Sequence, residues 1–462
     1  MTNDREFLGK EPIGKLLFTL ATPTVIAQLV NMLYNIVDRI YIGHMPGDGA
    51  LALTGVGVCM PLIMSVSAFS ALVASGGAPR ASINMGKKDY NTAELILGNC
   101  FSLLVLIGTV LTAILLLFNR PILLLFGASQ NTIQYASSYM NVYAIGTIFV
   151  QLTLGLNMFI TAQGFTKISM LTVIIGAIIN IVLDPLFIFV FKMGVSGAAL
   201  ATILSQGVSC VWCLLFLLGK NTQLHLRKSC LRLKRHIVFS CVSLGFATFI
   251  MQISESILAV CFNSSLLKYG GDIAVGAMTI CTSTLQFIML PIMGVSQGAQ
   301  PISSYNFGAG NAQRVKQTFR LLLTVCAAFS FSLYLVIMIA PGIFARLFSS
   351  DDALIRYAMT ALRIYCGAIF VFGIQISCQM TFTAIGNAPS SIIVAVFRKF
   401  VLLIPLIYIL PAVNVLPDKA LCVYLAEPVA DFVAVIFTVI IFTAQFRKAL
   451  KSLEKPAAAQ AD

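Results

Sequence analysis

The chain of 462 residues is 58% hydrophobic and only 10% charged, and its mean hydropathy is +0.93. A soluble domain carries about 25% charged residues, so this composition excludes a soluble protein and indicates one whose surface faces lipid. The net charge of +13 does not indicate a nucleic-acid partner, because the chain has no basic, aromatic-bearing soluble module that would bind one.

Twelve apolar runs, each long enough to cross a bilayer as a helix, follow one another along the chain. They are too long for the strands of a membrane β-barrel, which are about 10 residues each. The sequence therefore predicts an all-α membrane protein with twelve transmembrane helices. We place these helices at 14–42, 51–77, 93–118, 133–161, 169–191, 195–218, 237–266, 274–299, 319–345, 357–385, 389–412 and 420–446.

Basic residues are concentrated in alternate loops of this arrangement. The loop at 219–236 alone contains six Lys and Arg and no acidic residue. Because the cytoplasmic loops of membrane proteins are enriched in Lys and Arg, we predict that this loop and both termini are cytoplasmic. The protein is then a multi-pass protein of the plasma (inner) membrane.

The two halves of the chain repeat one sequence pattern. The motif P-x-x-S-x-N-x-G occurs at 79–86, near the end of the second span, and again at 301–308, near the end of the eighth. Equivalent segments are six spans apart, so the halves share one membrane orientation, as in the parallel repeats of some secondary transporters. We predict an N-terminal six-helix lobe at 1–218, a basic linker at 219–236, a C-terminal six-helix lobe at 237–446 and a cytoplasmic tail at 447–462.

Polar side chains occupy three spans of the first lobe. In the first span they are spaced by three, four and three residues, which places them on one helical face. A charge at the bilayer centre costs about 2.5–3.5 kcal/mol or more, so these groups are expected to face the interior. Their oxygens suit a proton or a small hard cation such as Na⁺; the alternative is a polar network that only holds helices together. The residues are Gln28, Asn31, Asn35 and Asp38 in the first span, Asn180 and Asp184 in the fifth, and Thr202 in the sixth.

The second lobe carries different polar groups, so the lobes have diverged chemically. Glu255 is a candidate functional acid, and an ion pair with Arg398 is the structural alternative. Aromatic side chains attract organic cations, which makes Tyr34 and Phe149 candidates for the wall of a substrate cavity, although ordinary packing is the simpler explanation for each residue taken singly. The second-lobe candidates are Gln252, Glu255, Gln375, Gln379, Arg398 and Asp431.

Four segments, at 33–43, 180–188, 194–202 and 297–310, resemble those of the multidrug and toxic compound extrusion (MATE) family. The resemblance covers nearly the whole chain and is strongest to its bacterial branch of DinF-like and MepA-like exporters. It implies a V-shaped bundle of two six-helix lobes that exports cationic or amphiphilic organic compounds in exchange for H⁺ or Na⁺, with no resident cofactor.

The resemblance also implies roles for particular residues. The first-lobe cation site falls on Asp38, Asn180, Asp184 and Thr202, and the proline that accompanies bending of the first helix falls on Pro23. The family acid of the seventh helix falls on Glu255. We expect small organic cations and the lipid bilayer as partners, and a monomer as the functional unit.

Two other functions are less consistent with the residues. A flippase for lipid-linked precursors needs several Arg inside the first lobe, whereas Arg39 alone lies within a first-lobe span. An enzyme needs a nucleophile–base set or metal ligands, and the three histidines lie at loops or span ends. A receptor or channel stays open as an alternative, but duplicated lobes favour alternating access.

Overall fold

The computed structural model describes residues 6–45, 49–348 and 351–458, and in this part of the chain the long elements are all helices. A short helix, Phe7–Lys10, precedes the spans. The spans are α1 (Ile13–Gly43), α2 (Gly49–Gly86), α3 (Tyr90–Leu125), α4 (Ile133–Ala162), α5 (Thr166–Pro185, continued by Leu186–Val190), α6 (Val195–Leu218), α7 and α8 (both within Arg235–Gly308), α9 (Ala312–Ile339, followed by Pro341–Phe348), α10 (Asp352–Tyr365 and Ile369–Ala384), α11 (Ala388–Val413) and α12 (Lys419–Ala458).

The apolar runs do not reveal two features of these spans: α7 and α8 are joined in one long helix, and α10 is bent. The helix Arg235–Gly308 has 74 residues and breaks at Gly271, where φ is 63° and ψ is −161°, a backbone conformation that suits glycine. The two helices of α10 meet at 49°. With the long helix divided at Gly271 and α10 counted as one span, the described residues contain the twelve predicted helices.

The helical ends differ from the predicted ones because a helix continues past the lipid-facing run. The run at 51–77 belongs to a helix that ends at Gly86. The run at 93–118 ends where α3 kinks, at Phe118, and a further helical segment leads from there to Leu125. Backbone hydrogen bonds sustain a helix in water as well as in lipid, so hydropathy marks only the middle of each span.

The two lobes share one hydrophobic core at one end of the molecule. At the opposite end each lobe has a core of its own. One hydrophobic core combines first-lobe residues such as Leu20 with second-lobe residues such as Ile302. Two further cores each belong to a single lobe, one around Val56 and the other around Phe262. We call the shared end, where α1 and α7 begin and α2 and α8 end, the closed end, and the other the open end.

Glycine lets the backbones of the two lobes touch at the closed end. A Cβ on Gly76 of α2 would overlap the carbonyl oxygen of Cys241 on α7, and a Cβ on Gly245 of α7 would overlap that of Leu72 on α2. Small residues allow such close helix crossings inside membranes. The closed end is therefore packed backbone against backbone.

The repeated motif at 79–86 and 301–308 forms a second such crossing. Its final glycines meet reciprocally, because a Cβ on Gly86 would overlap the Tyr305 carbonyl and one on Gly308 the Ile83 carbonyl. Its second asparagine, Asn306, donates from Nδ2 to the Leu8 carbonyl at 2.9 Å. The motif thus ties the two lobes and the N-terminal helix together.

The basic linker is docked on the first lobe through buried acceptors. The Gln163 Oε1 atom accepts hydrogen bonds from Thr222 Oγ1 at 2.8 Å and from the backbone N–H groups of Gln223 and Leu224, each at 2.9 Å. The buried Glu94 binds Arg227 at 2.9 Å between Oε2 and Nε. The linker is therefore anchored to the first lobe, and the ion pair with Glu94 holds Arg227 in place.

Candidate functional site

The first-lobe site lies between α1, α5 and α6, where Asp38, Asp184 and Asn180 are all buried. Asn180 Nδ2 donates to Asp184 Oδ1 at 3.2 Å and to Thr202 Oγ1 at 3.5 Å. Thr202 Oγ1 donates its own hydrogen bond to the Ala198 carbonyl at 3.0 Å, so its hydroxyl oxygen accepts the bond from Asn180. The four residues predicted as a cation site do come together.

The carboxyl groups of Asp38 and Asp184 lie within hydrogen-bond reach of each other. Two ionised carboxylates repel each other in a low-dielectric interior, so their proximity favours the binding of a proton or a cation. Three oxygens of the site are buried without a hydrogen-bond partner among the described residues: Asp38 Oδ1, Asn180 Oδ1 and Asp184 Oδ2. An unsatisfied buried polar group costs about 1–3 kcal/mol, and this oxygen set fits a proton or Na⁺.

The local sequence keeps Asp184 at a turning point of α5. Pro185 follows it directly, and the helix continues as a π-helical turn, Leu186–Val190. Proline has no backbone N–H and cannot sustain the regular hydrogen-bond ladder. Insertions of this kind frequently occur at functional sites, and here the irregular turn begins beside the buried acid.

Tyr139 of α4 is a site residue that the sequence analysis missed. It is buried and lies beside the Thr202 side chain. Nothing distinguishes a tyrosine within an apolar helix from a packing residue, and buried tyrosines usually find a partner for the hydroxyl. The predicted Tyr34 is half-buried and lies in the electrostatic field of both acids.

The remaining first-lobe candidates are distributed around this site rather than in it. Asn35 Nδ2 bonds back to the Asn31 carbonyl at 2.5 Å, and the Asn31 side chain is exposed. Gln28 lies at the lobe boundary, where its Nε2 donates to Gln297 Oε1 of α8 at 3.1 Å. Phe149 is 40% exposed and lies beside Gly207 of α6.

Pro23 lies inside α1, which is one continuous helix from Ile13 to Gly43. The next residue, Thr24, donates from Oγ1 to the Gly294 carbonyl of α8 at 2.6 Å. The proline therefore sits where the two lobes touch, close to the point at which α1 leaves α8. Its role as a hinge stays a prediction.

In the second lobe Arg398 of α11 is held by two acids of α12. Its Nε lies 2.6 Å from Asp431 Oδ1 and its Nη2 lies 3.0 Å from Glu427 Oε1, and all three side chains are buried. The guanidinium also stacks 4.9 Å above the Phe372 ring. Arg398 and Asp431, both predicted as cavity residues, thus belong to one buried ionic cluster.

Glu255 binds Lys399 rather than Arg398, the partner considered from the sequence, at 2.7 Å between Oε1 and Nζ. A cavity of about 20 Å³ adjoins this pair and is lined by Met251, Phe372, Gln375, Ile376, Gln379, Ala395, Arg398 and Lys399. The structure brings the predicted Gln375 and Gln379 to this cavity. Gln252 is exposed, one position beyond the lining residue Met251.

The family model MatE matches the chain twice, at residues 23–186 and 247–409. The chain belongs to the MatE family. Each match covers one lobe, and the matches begin 224 residues apart, in agreement with the duplication inferred from the repeated motif.

Relatives of this MatE protein include two staphylococcal proteins named multidrug export protein MepA. The protein of Staphylococcus haemolyticus is 27% identical over 429 residues, which cover 93% of this chain and 94% of that protein. The protein of Staphylococcus aureus strain N315 is 24% identical over 436 residues, with the same coverage of both chains.

Solved structures of MATE transporters share the fold of this chain. A MATE crystal structure in the bent conformation aligns with a TM-score of 0.90 and 23% identity, covering 99% of this chain and all of that one. An outward-facing multidrug resistance MATE transporter aligns with a TM-score of 0.89 and 22% identity, covering 97% of this chain and 99% of that one. The expected twelve-helix, two-lobed MATE fold is confirmed.

Proposed function

We propose that this MatE protein is a secondary antiporter that exports cationic and amphiphilic organic compounds in exchange for H⁺ or Na⁺. The observation that supports this most strongly is the pair of neighbouring buried carboxyl groups, Asp38 and Asp184, each of which has one oxygen without a hydrogen-bond partner among the described residues, beside the equally unpaired Oδ1 of Asn180. Oxygen groups of this kind suit a proton or Na⁺. The MepA relatives, named as multidrug export proteins, support the substrate class.

The proposed mechanism is mutual exclusion between the ion and the substrate. With the first-lobe site empty of its ion, the negative charge of Asp38 and Asp184 favours a cationic compound in the space between the lobes. When H⁺ or Na⁺ enters, it reduces that negative charge and α1 bends near Pro23, which lies at the contact with α8. Each positive charge that moves inward across 100 mV supplies about 2.3 kcal/mol.

The proposed orientation places both termini and the linker in the cytoplasm of a plasma (inner) membrane protein, following the basic loops. The closed end then faces the cytoplasm, because α1 begins there and α2 ends there. The described conformation is outward-open in this orientation. Each lobe contains its own polar cluster, so we propose that a single chain transports.

The test is ethidium efflux from proteoliposomes that contain the purified protein, with pH and Na⁺ gradients imposed separately. We expect one gradient to drive efflux in the wild type and no coupled efflux in Asp38→Asn that inserts normally. Wild-type efflux in Asp38→Asn would contradict the mechanism. If neither gradient drives efflux of several cationic dyes, the protein has another cargo, with a lipid-linked precursor as the first alternative.

A further inference from the structure

The second-lobe pair Glu255–Lys399 is asymmetric in its burial. The Lys399 side chain is 5% exposed, whereas the Glu255 side chain is 59% exposed. Glu255 lies on α7 just beyond the contacts of this helix with α2 of the other lobe, so its exposed surface faces the space between the lobes. One partner of this ion pair is therefore accessible to a molecule in that space and the other is not.

The position of Glu255 along α7 supports this placement. On the way from the closed end, α7 contacts α2 through Gly245 and then through Phe249, whose ring lies 5.1 Å from that of Phe69. Glu255 follows nearly two turns later. It thus lies just beyond these lobe contacts, toward the open end, as Asp38 does beyond the Gln28–Gln297 contact on α1.

Lys399 and its neighbour Arg398 are held in different ways. Arg398 uses two buried carboxylates and an aromatic face, so its planar fork is fixed. Among the described residues Lys399 has one ionic partner, Glu255, and an ammonium group has three donors on a flexible stem. The two cations adjoin in the π-helical turn Phe397–Leu403, but only Lys399 has an exchangeable partner.

A second position for the Lys399 ammonium exists beside the pair. The adjoining cavity of about 20 Å³ exceeds the roughly 10–15 Å³ that a water-sized group needs, and an ammonium group is about that size. Gln375 Oε1 and Gln379 Oε1 are buried and have no hydrogen-bond partner among the described residues. With both acids ionised, the Arg398 cluster carries a net charge of −1, so it attracts the ammonium as well.

We propose that Lys399 is a built-in competitor for Glu255, which a cationic substrate displaces, and that the displaced ammonium moves to the oxygens of Gln375 and Gln379. Glu255 is then the receptor for the positive charge of the substrate. Lys399 sets its specificity, because only a ligand with a well-placed cation can replace it. This inference rests on the proposed export of organic cations and names the second-lobe group that recognises them.

The test is equilibrium binding of ethidium to the purified protein, followed by fluorescence without any ion gradient. Lys399→Met removes the competitor and is expected to bind ethidium about tenfold more tightly, since a hydrogen bond to a charged group is worth that much or more. Glu255→Gln is expected to bind about tenfold more weakly. Lys399→Arg keeps the charge and is expected not to gain affinity.

Two further variants separate displacement from general effects of charge. Lys268→Met removes the same charge from an exposed position beside Tyr269 and is expected to leave the affinity unchanged. Gln375→Met removes one acceptor for the displaced ammonium. It is expected to weaken binding in the wild type but not in the Lys399→Met background, a coupling that a merely structural role of Gln375 does not produce.

Unchanged or weaker ethidium binding in folded Lys399→Met would overturn the inference. So would equal effects of Gln375→Met in both backgrounds. If Glu255→Gln binds normally while efflux still depends on Asp38, the inference fails and the proposed antiport stands. If the wild type binds no cationic dye at all, the proposed function fails with it.

Discussion

Gly245 on α7 packs so closely against α2 that adding one methyl group changes the balance between the closed and separated lobes. A Cβ there would overlap the Leu72 carbonyl oxygen, and the reciprocal contact of Gly76 is with the Cys241 carbonyl. Backbone atoms cannot rotate away as a side chain can, so in Gly245→Ala the two helices must move apart. Overpacking of this kind costs about 1–3 kcal/mol.

This cost applies only while the two helices touch, so it destabilises the described conformation relative to any conformation in which the lobes separate at this end. Since 1.4 kcal/mol corresponds to a tenfold change in an equilibrium, the expected shift is about 5- to 150-fold. Gly57→Ala is the matched control. Gly57 lies on α2 with no atom within 4 Å of its Cβ position, and alanine improves helix propensity equally at both sites.

The assay is the rate at which N-ethylmaleimide modifies Cys241, measured by mass spectrometry of its peptide. Cys241 is 1% exposed at the lobe contact, so it reacts when the lobes separate. We expect faster modification in Gly245→Ala by about the same 5- to 150-fold, with Cys213, buried within the first lobe, still protected. Equal rates in the Gly245 and Gly57 variants, both folded, would refute the reasoning.

Three further predictions concern stability. Asp89 is the N-cap of α3 and accepts a hydrogen bond from Thr92 N at 3.0 Å. Hydrogen bonds from Thr92 hold the pKa of the Asp89 carboxyl below its ordinary value of 3.8. Asp89→Ala is expected to cost about 1 kcal/mol of stability at neutral pH. A lowered pKa stabilises the fold above the ordinary pKa, so this loss should shrink as the pH falls below that value. Asn311 is the uncharged N-cap of α9 and accepts a hydrogen bond from Arg314 N at 3.2 Å, so the loss in Asn311→Ala should not change with pH; parallel pH profiles of the two variants in thermal unfolding would argue against the cap. Arg398→Met leaves two buried carboxylates without their cation and is expected to destabilise the protein by about 3–5 kcal/mol. A thermal midpoint like that of the wild type would show that the cluster does not contribute to stability. Gln163→Leu deprives three linker donors of their acceptor, costs about 1–3 kcal/mol and should speed tryptic cleavage after Arg227; cleavage at the wild-type rate would mean that the linker does not depend on this residue.

The sequence was sufficient for the helical fold and the two lobes, because the apolar runs and the repeated motif depend on the chain alone. It also indicated four polar residues of the first lobe that the structure brings together, since an acid or amide at the bilayer centre has few explanations other than an interior role. Asp38, Asn180, Asp184 and Thr202 came from different spans and still meet in space.

Pairings and backbone contacts were beyond the sequence. The choice of Lys399 rather than Arg398 for Glu255 depends on how the π-helical turn of α11 directs two adjacent side chains. Tyr139 was missed because the polar residue beside it, Thr202, lies on another helix. The reciprocal glycines of α2 and α7 lie on different lobes, and hydropathy contains no information about which glycines meet.

The lobes therefore use related helices for different chemistry. In the first lobe, Asp38 and Asp184 form no salt bridge with a basic residue in the described part of the chain. The second contains acids that are already paired with Arg398 and Lys399. This difference supports the proposals that an exchangeable external ion binds in the first lobe and that the second lobe recognises a charge that competes with an internal cation.

The measurement that tests mutual exclusion most directly is the equilibrium affinity of the purified protein for ethidium as the coupling ion is raised, by lowering the pH or by adding Na⁺. We predict that one of these ions weakens ethidium binding in the wild type and that Asp38→Asn abolishes this dependence. An ethidium affinity that neither ion changes in the wild type, or an ion dependence that persists in folded Asp38→Asn, would contradict the account.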